Sequence, residues 1–395
     1  MTTATPAPAL VAEGHIDPAA AFVPVQTRSE RPSSFEPADF GVPTGREVNW
    51  KHTPVARLQA LFVDEAGPHD VIGVEVTAPA AVLQRRLRVG EAPRGEVFRP
   101  EDLPSAIAWS QEELAPLISI PAGVELEEPV VIRLTGNGGL AHAHVVIEAQ
   151  ANARGTVVMR HEGTALHAQN VEIIAREGSA LTVITVQGWD DDAVHLAAHQ
   201  ARVERDATLT HVVASLGGGV VRINPSVELA GDGAHGKLFG LSFADADQHL
   251  ESQVYLHHKG RHTTGDVLYK GALQGAGARS VWIGDVLIGP DATGTDSYEA
   301  NRNLVLTDGA RADSIPNLEI QTGDIVGAGH ASATGRFDDE QLFYLQARGI
   351  SEDEARRLVV LGFLTEIVQK LGIPSLEDEL TAAIEAELSQ EEGAA

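Results

Sequence analysis

Residues 177–186 read Glu-Gly-Ser-Ala-Leu-Thr-Val-Ile-Thr-Val. A small-residue turn leads into apolar residues alternating with threonine, and a period of two over this length marks a strand with one buried face. The unit recurs on both sides. Ala153-Arg-Gly-Thr156 precedes Val157-Val-Met159, Arg205-Asp-Ala-Thr208 precedes Leu209-Thr-His-Val-Val213, and Asp232-Gly-Ala-His235 precedes Lys237-Leu-Phe-Gly-Leu241. Gly275-Ala-Gly-Ala278, followed by Ser280-Val-Trp-Ile283, and Asp308-Gly-Ala-Arg311 continue the series, and further strand-like runs stand at 130–134, 144–148 and 303–306. The turn Gly or Asp falls at 155, 178, 206, 233, 277 and 309, with gaps in the twenties and low thirties and one near double. No helical pattern of ten or more residues interrupts the stretch. This repetition predicts a mainly β chain whose core, over 121–335, is a solenoid in which each strand–turn unit buries its apolar face against its neighbours. The open ends of such a stack need covering, or they pair with another chain.

The flanks read differently. Residues 1–35, with Pro6, Pro8, Pro18, Pro24 and Pro32, read as a flexible N-terminal arm, and 36–120 as a less regular N-terminal α/β region. After 336 the period shifts to that of a helix. A first helix opens at Asp338, runs through Leu342, Phe343 and Leu345, and ends at Gly349. Ser351 and Glu354 have the spacing of a capping box, ahead of Leu358, Leu361, Leu364, Ile367, Val368 and Leu371 on one helical face. Gly372 and Pro374 end that helix, and Ser375 can cap a last one over 376–388. Residues 336–395 are thus expected to form a C-terminal helical domain. Its final stretch, 375–395, holds seven acids and no base. That stretch suits docking to a partner or packing on its own domain.

Composition narrows the function. The 395-residue chain carries a net charge of −27. Phosphate contacts need Lys and Arg, so nucleic acid is an unsuitable partner, and an anionic membrane surface equally so. There is no cysteine, hence no disulfide, no thiolate ligand and no sulfur nucleophile from this chain. The segment 1–25 lacks Lys and Arg and a compact apolar core, unlike a secretory signal, and the longest plain apolar stretch near the C-terminus, Leu358–Leu364, is too short to span a bilayer. The expected location is cytoplasmic.

Several motifs carry less than they suggest. Gly231-Asp-Gly-Ala-His-Gly-Lys237 fits G-x-G-x-x-G and the first seven positions of a P-loop. Leu238 stands where the magnesium-binding hydroxyl belongs, and a strand follows where a helix is needed to cradle phosphate. It reads as a glycine-rich turn. His249, His257, His258 and His262 lack an acidic partner at the spacing of a recognised metal motif, so they read as surface histidines on strand edges. Asp190-Asp191-Asp192 reads as a loop. A β-helix enzyme acting on polysaccharide is the alternative, but it calls for a secretory signal and an aromatic-lined groove, and aromatics are only 5%. A left-handed β-helix trimer with a histidine zinc site calls for a hexapeptide period that is absent.

The informative block lies near the C-terminus. It runs Asn303-Leu-Val-Leu-Thr-Asp-Gly-Ala-Arg-Ala-Asp-Ser-Ile-Pro-Asn-Leu-Glu-Ile320, then Gly327-Ala-Gly-His-Ala-Ser-Ala-Thr-Gly335, Asp338-Asp-Glu-Gln-Leu-Phe-Tyr-Leu345 and Arg348-Gly-Ile350. This order resembles the SufB/SufD family of iron–sulfur cluster assembly (SUF system) scaffolds. Glu47-Val-Asn-Trp-Lys-His-Thr53 resembles a segment near the N-terminus of SufD-type members, so the resemblance spans about residues 40–390. Leu-Glu-Ile at 318–320, the Ala-Thr-Gly run after His330, the Trp-Lys segment and the absence of cysteine favour the SufD type.

The resemblance implies a right-handed parallel β-helix between an N-terminal region and C-terminal helices. It implies a non-catalytic scaffold, not an enzyme, within a SufBCD-like complex. A SufB-type chain would pair through the β-helix, and a SufC-type ABC ATPase would dock on the C-terminal helices, with Phe343, Tyr344 and Arg348 as candidates. Phe343 suits a core position better. ATP would be held by that partner, with no nucleotide on this chain. His330 matches the family histidine at the partner interface, where a transient iron–sulfur cluster is held, and imidazole can replace thiolate as an iron ligand. Family members of this type often carry a cysteine two residues earlier, where this chain has Ala328. Ligation then falls to His330 or to an oxygen ligand such as Glu319 or Asp324. The resemblance leaves open whether His330 ligates or only packs, whether a flavin binds the complex, and whether the chain forms a homodimer when alone.

Overall fold

The computed structural model describes Arg28 and residues 31–68, 71–337, 339–370 and 372–389. Of the arm expected over 1–35, residues 1–27, 29 and 30 lie outside the described residues, as do Asp338, Leu371 and the end of the acidic tail from 390. The elements run β1 (Ile72–Thr77), β2 (Leu83–Leu87), α1 (Leu103–Gln111), β3 (Ala115–Ile120), β4 (Val130–Ala149) and β5 (Arg154–Ala175). They continue with β6 (Ala180–Trp189), β7 (Val194–Val203), β8 (Thr208–Ser215), β9 (Val220–Leu229), β10 (His235–Ala244) and β11 (His249–His258). Then come β12 (Thr264–Leu273), β13 (Arg279–Ile288), β14 (Thr295–Val305), β15 (Arg311–Ile320) and β16 (Ile325–Arg336). Three helices follow: α2 (Asp339–Gln346), α3 (Glu352–Val368) and α4 (Pro374–Ser389).

The strands wind into a parallel solenoid of about eight turns. β5 is long enough to serve both faces, its first half pairing with β6 and its second half with β7. Beyond it, β6, β8, β10, β12, β14 and β16 stack on one face and β7, β9, β11, β13 and β15 on the other. Arg154, Ala180, Thr208, His235, Thr264 and Asp296 lie one above another, and the last coil of this column, Thr264 to Asp296, is longer than the first, Arg154 to Ala180.

One corner of each coil explains the repeating turn. Asn152, Gly178, Asp206, Gly233, His262 and Gly294 all have φ between 53° and 71°. In this left-handed conformation each amide points along the stack: Gly178 N–H donates to the Arg205 carbonyl at 2.9 Å and Gly233 N–H to the Arg261 carbonyl at 2.8 Å. Gly, Asn and Asp tolerate this region best, which is why small-residue turns recur. The expected series mixed two columns. Gly155 lies inside β5, and Gly277 and Gly309 belong to the opposite corner, where Gly277 N–H faces the Gly309 carbonyl. The near-double gap arises because the column continues through His262 and Gly294.

Inward-pointing residues such as Val157, Met159, Leu181, Val183, Leu209, Leu238 and Val267 fill the interior and are at most 1% exposed. Each such aliphatic side chain stabilises the fold by about 1.5–3 kcal/mol. The outer faces are covered from both ends of the chain. Trp50, Leu61, Phe62 and Ile107 pack on Ala168, Leu196 and Val220 of the odd-numbered face. Val360, Leu364 and Ile367 of α3, with Leu376, Leu380 and Ile384 of α4, pack on Val212, Phe239, Leu241 and Leu268 of the even-numbered face. Of the two readings for the acidic tail, its described part packs on its own solenoid, where Glu379 pairs with Arg160. Ser351 caps α3, its Oγ accepting from Glu354 N–H at 3.3 Å.

Candidate functional site at the open end of the solenoid

β15 and β16 are the last strands of the stack, and among the described residues each has one strand partner, β13 and β14 respectively. Ser332 Oγ and Ser314 Oγ, 2.8 Å apart, tie the two across the solenoid. Around this end Val326, Tyr298 and Ile320 are 74%, 51% and 45% exposed, whereas the strands of the middle coils bury their apolar side chains.

His330 lies on β16 directly above Glu299 of β14 in the parallel register. Its Nδ1 is 3.8 Å from Glu299 Oε1, and its side chain is 44% exposed while that of Glu299 is fully buried. Neither carboxyl oxygen of Glu299 has a hydrogen-bond partner among the described residues. Burial, with the charge of Asp285 adding to it, pushes the Glu299 carboxyl up to about 8. Gly284 lets it pack closely: a Cβ there would collide with Glu299 Oε2 and with the Trp282 ring, which together fill the interior at this point.

The other sequence-derived candidates lie apart from this pair. Glu319 on β15 accepts from Gln321 Nε2 at 2.7 Å. Asp324 is exposed in the turn before β16, where its carbonyl accepts from Gly294 N–H at 2.7 Å. Ala328 lies on β16 against the apolar core. Among the described residues no three His, Asp or Glu side chains converge on one cation position. Sequence reasoning missed Glu299. It stands one coil before His330, so aligning the coils on their turn column would have found it.

The histidines expected on strand edges are placed differently. His249 and His258 are buried, His249 Nε2 lying 2.9 Å from Glu251 Oε2 and His258 Nδ1 2.8 Å from Thr263 Oγ1. They point to opposite faces of β11: His258 shares the parity of the interior Leu250, Val254 and Leu256, and His249 that of Glu251, which the Thr53 segment covers. His262 is exposed, at a coil corner. His161, His167, His195, His199 and His211 are also buried, inside the first coils. A cavity of about 800 Å³ opens at the opposite end of the solenoid between β1 and β3, with Ile72, Val74, Leu134 and Val145 in its walls.

On comparison with known proteins, a family model described as the SUF system FeS cluster assembly SufBD core domain matches residues 132–363. The chain is 47% identical over 364 residues to an iron–sulfur cluster assembly SufBD family protein of Mycobacterium tuberculosis, covering 90% of this chain and 92% of that protein. A second such protein, from Mycobacterium leprae, is 44% identical over 365 residues, covering 90% and 93%. The chain belongs to the SufBD family.

The match to the SufBD core takes in β5 through β16, so the Glu299–His330 end lies inside the family domain. The Trp50 segment of this SufBD chain lies before it and has a structural task. The Arg222 guanidinium covers the Trp50 ring at 3.9 Å and donates to Glu251 Oε1 at 3.1 Å and to the Asn49 carbonyl at 2.9 Å. Thr53 Oγ1 donates to Glu251 at 2.9 Å. Burial acts on Glu251 to raise its pKa, but His249 and Arg222 outweigh it and hold the carboxyl down at about 2. On α2, Phe343 is 73% exposed and Tyr344 56% exposed, which overturns the core expectation for Phe343. The Arg348 guanidinium lies 4.6 Å above the Tyr344 ring.

Proposed function

We propose that this chain is the SufD-type scaffold subunit of a SufBCD-like complex that assembles iron–sulfur clusters, pairing with a SufB-type chain and docking a SufC-type ATPase. The observation that carries the reading is the end of the solenoid left uncapped by the described residues, where two strand edges, exposed apolar residues and the half-exposed His330 share one surface. An open sheet end invites another chain, and an imidazole beside it can share an iron site with a partner. With no cysteine, any thiolate for the cluster comes from that partner. The cluster is cargo, and the chain performs no bond chemistry of its own. Mycobacterium leprae supports the division of labour: besides the protein already described it has a SufBD family protein 28% identical over 302 residues, covering only 34% of that longer chain. Two unlike scaffolds in one organism suit a heterologous pair. The exposed Phe343, Tyr344 and Arg348 on and after α2 suit docking of the ATPase.

The test is co-purification with SufB-type and SufC-type neighbours, followed by anaerobic reconstitution with iron and sulfide and measurement of cluster absorbance. Wild type should form the three-component complex. His330→Ala should form it and hold several-fold less cluster, and Phe343→Ala with Tyr344→Ala should lose the ATPase while keeping the SufB-type chain. Unchanged cluster in His330→Ala would leave a pairing subunit without a ligand role. Failure of wild type to assemble would end the SufD-type reading.

A further inference from the structure

The end of the solenoid opposite His330 is split. A register shift between Asn137 and Leu140 divides β4, whose first half pairs with β1 and whose second half pairs with β3. Among the described residues no strand joins β1 to β3, and the cavity of about 800 Å³ lies in this gap. A volume of that size suits a small organic ligand. Ile72, Val74 and Val76 of β1 and Ile118 of β3 give it apolar walls.

Two polar features frame those walls. At the buried end lies His167, which is fully buried and whose Nε2 has no hydrogen-bond partner among the described residues. Its Nδ1 stands 3.2 Å from the Ala141 carbonyl. A carbonyl only accepts, so Nδ1 carries the proton. Burial holds the ring neutral, down at about 3, and Nε2 is left as a lone pair facing no donor. Buried polar groups in folded proteins are almost always satisfied, so this acceptor marks a missing partner. At the exposed end lies Arg86. In the β2–β3 ladder Gln84 and Arg86 stand opposite Ile118 and Pro116 and share their face, toward the cavity. Arg86 Nη1 donates to the Leu114 carbonyl at 3.4 Å, and neither Arg86 nor the adjacent Arg85 has a carboxylate partner among the described residues. The one carboxylate in the wall, Glu112, accepts from Leu114 N–H at 3.2 Å. On a chain of net charge −27, two neighbouring unpaired guanidinium groups at a cavity mouth select for an anion.

We propose that this cavity is a binding site for a small amphipathic organic acid, its anionic group on Arg86 and Arg85 at the mouth, its apolar body between β1 and β3, and a hydroxyl or N–H at its far end donating to His167 Nε2. The apolar walls supply most of the affinity, and the two polar ends fix the orientation. The site is built from the first coil and the strands before it, so it belongs to this chain alone and goes beyond the scaffold reading.

The test titrates the full chain by calorimetry with three probes of one chain length: ω-hydroxydecanoate, decanoate, which lacks the donor, and decanol, which lacks the charge. Wild type should bind one ω-hydroxydecanoate, more tightly than decanoate, with decanol weakest. Arg86→Gln should weaken both acids about tenfold and leave decanol unchanged. His167→Phe should lower ω-hydroxydecanoate to the affinity of decanoate without moving decanoate itself. Val74→Phe, which brings a larger ring into the space from an exposed strand position, should abolish binding of all three with the thermal melt unchanged. Glu75→Gln, on the other face of β1, should match wild type. Failure of every probe on wild type, or binding that survives Val74→Phe, would overturn the site. An Arg86→Gln variant that still prefers the acids over decanol would overturn the anion assignment, and equal loss of both acids in His167→Phe would make His167 structural and strike the donor from the ligand. None of these titrations needs a SufB-type or SufC-type chain, so their outcome is read separately from complex assembly.

Discussion

Single residues in this molecule carry either a packing duty or an exposed chemical one, and the two are separable by charge. Arg222 and Glu251 are both buried and satisfied, with Trp50, Asn49, Thr53 and His249 completing the shell. Removing one member strands the other as an unpaired buried charge, so Arg222→Ala is expected to cost about 3–5 kcal/mol, read as a shift in the urea midpoint. Glu299 is the opposite case, buried and without a hydrogen-bond partner among the described residues. The contrast explains why the Trp-Lys segment could be recognised from its residues while its task could not: Arg222 and Glu251 lie far along the chain from it, several coils on, and only winding the solenoid brings them beneath Trp50.

At the scale of elements, the coil corners decide the register. The column Asn152, Gly178, Asp206, Gly233, His262 and Gly294 holds one left-handed residue per coil. A Cβ on Gly233 would meet Asp206 Oδ1 at 2.5 Å in addition to the backbone cost. Gly233→Ala should therefore destabilise by about 1–2 kcal/mol, whereas His262→Gly, which relieves the same conformation, should stay within about 0.5 kcal/mol. Equilibrium denaturation of both variants measures the difference, and equal losses would show that the column does not act through φ. The helices were legible in large part, because caps and periodicity are local. The Ser351 cap and the left-handed Gly349 lie where their residues indicated. Phe343 was not legible: a helical face says which residues share a side, not whether anything covers it.

For the whole molecule, the buried histidines set the response to acid. Burial drives His161 and His211 down to about 4 and His167 to about 3, and it holds His195 and His199 well below the usual value. They face one another, with Gln169, Gln187, Trp189 and Thr185 among them. Unfolded histidines take up protons near 6.5. Between 6.5 and about 4 the unfolded chain thus binds more protons than the folded one, so stability is intact above pH 6.5 and falls as pH drops through that window. Each such histidine steepens the fall by about 1.4 kcal/mol per pH unit. Urea melts at half-unit steps from pH 7.5 to 5 should show this slope, and His211→Asn should flatten it by one proton; a pH-independent midpoint would refute the buried neutral state. What the sequence by itself determined is the repeating strand–turn unit, the helical tail and the family, because alternation, left-handed turns, caps and an ordered motif are properties of neighbouring residues. The tertiary structure alone decided which histidines are interior, which aromatic ring is left exposed and that Glu299 stands under His330. Those facts depend on coil length, which changes from one coil to the next, so vertical neighbours appear only once the backbone hydrogen bonds fix the stack.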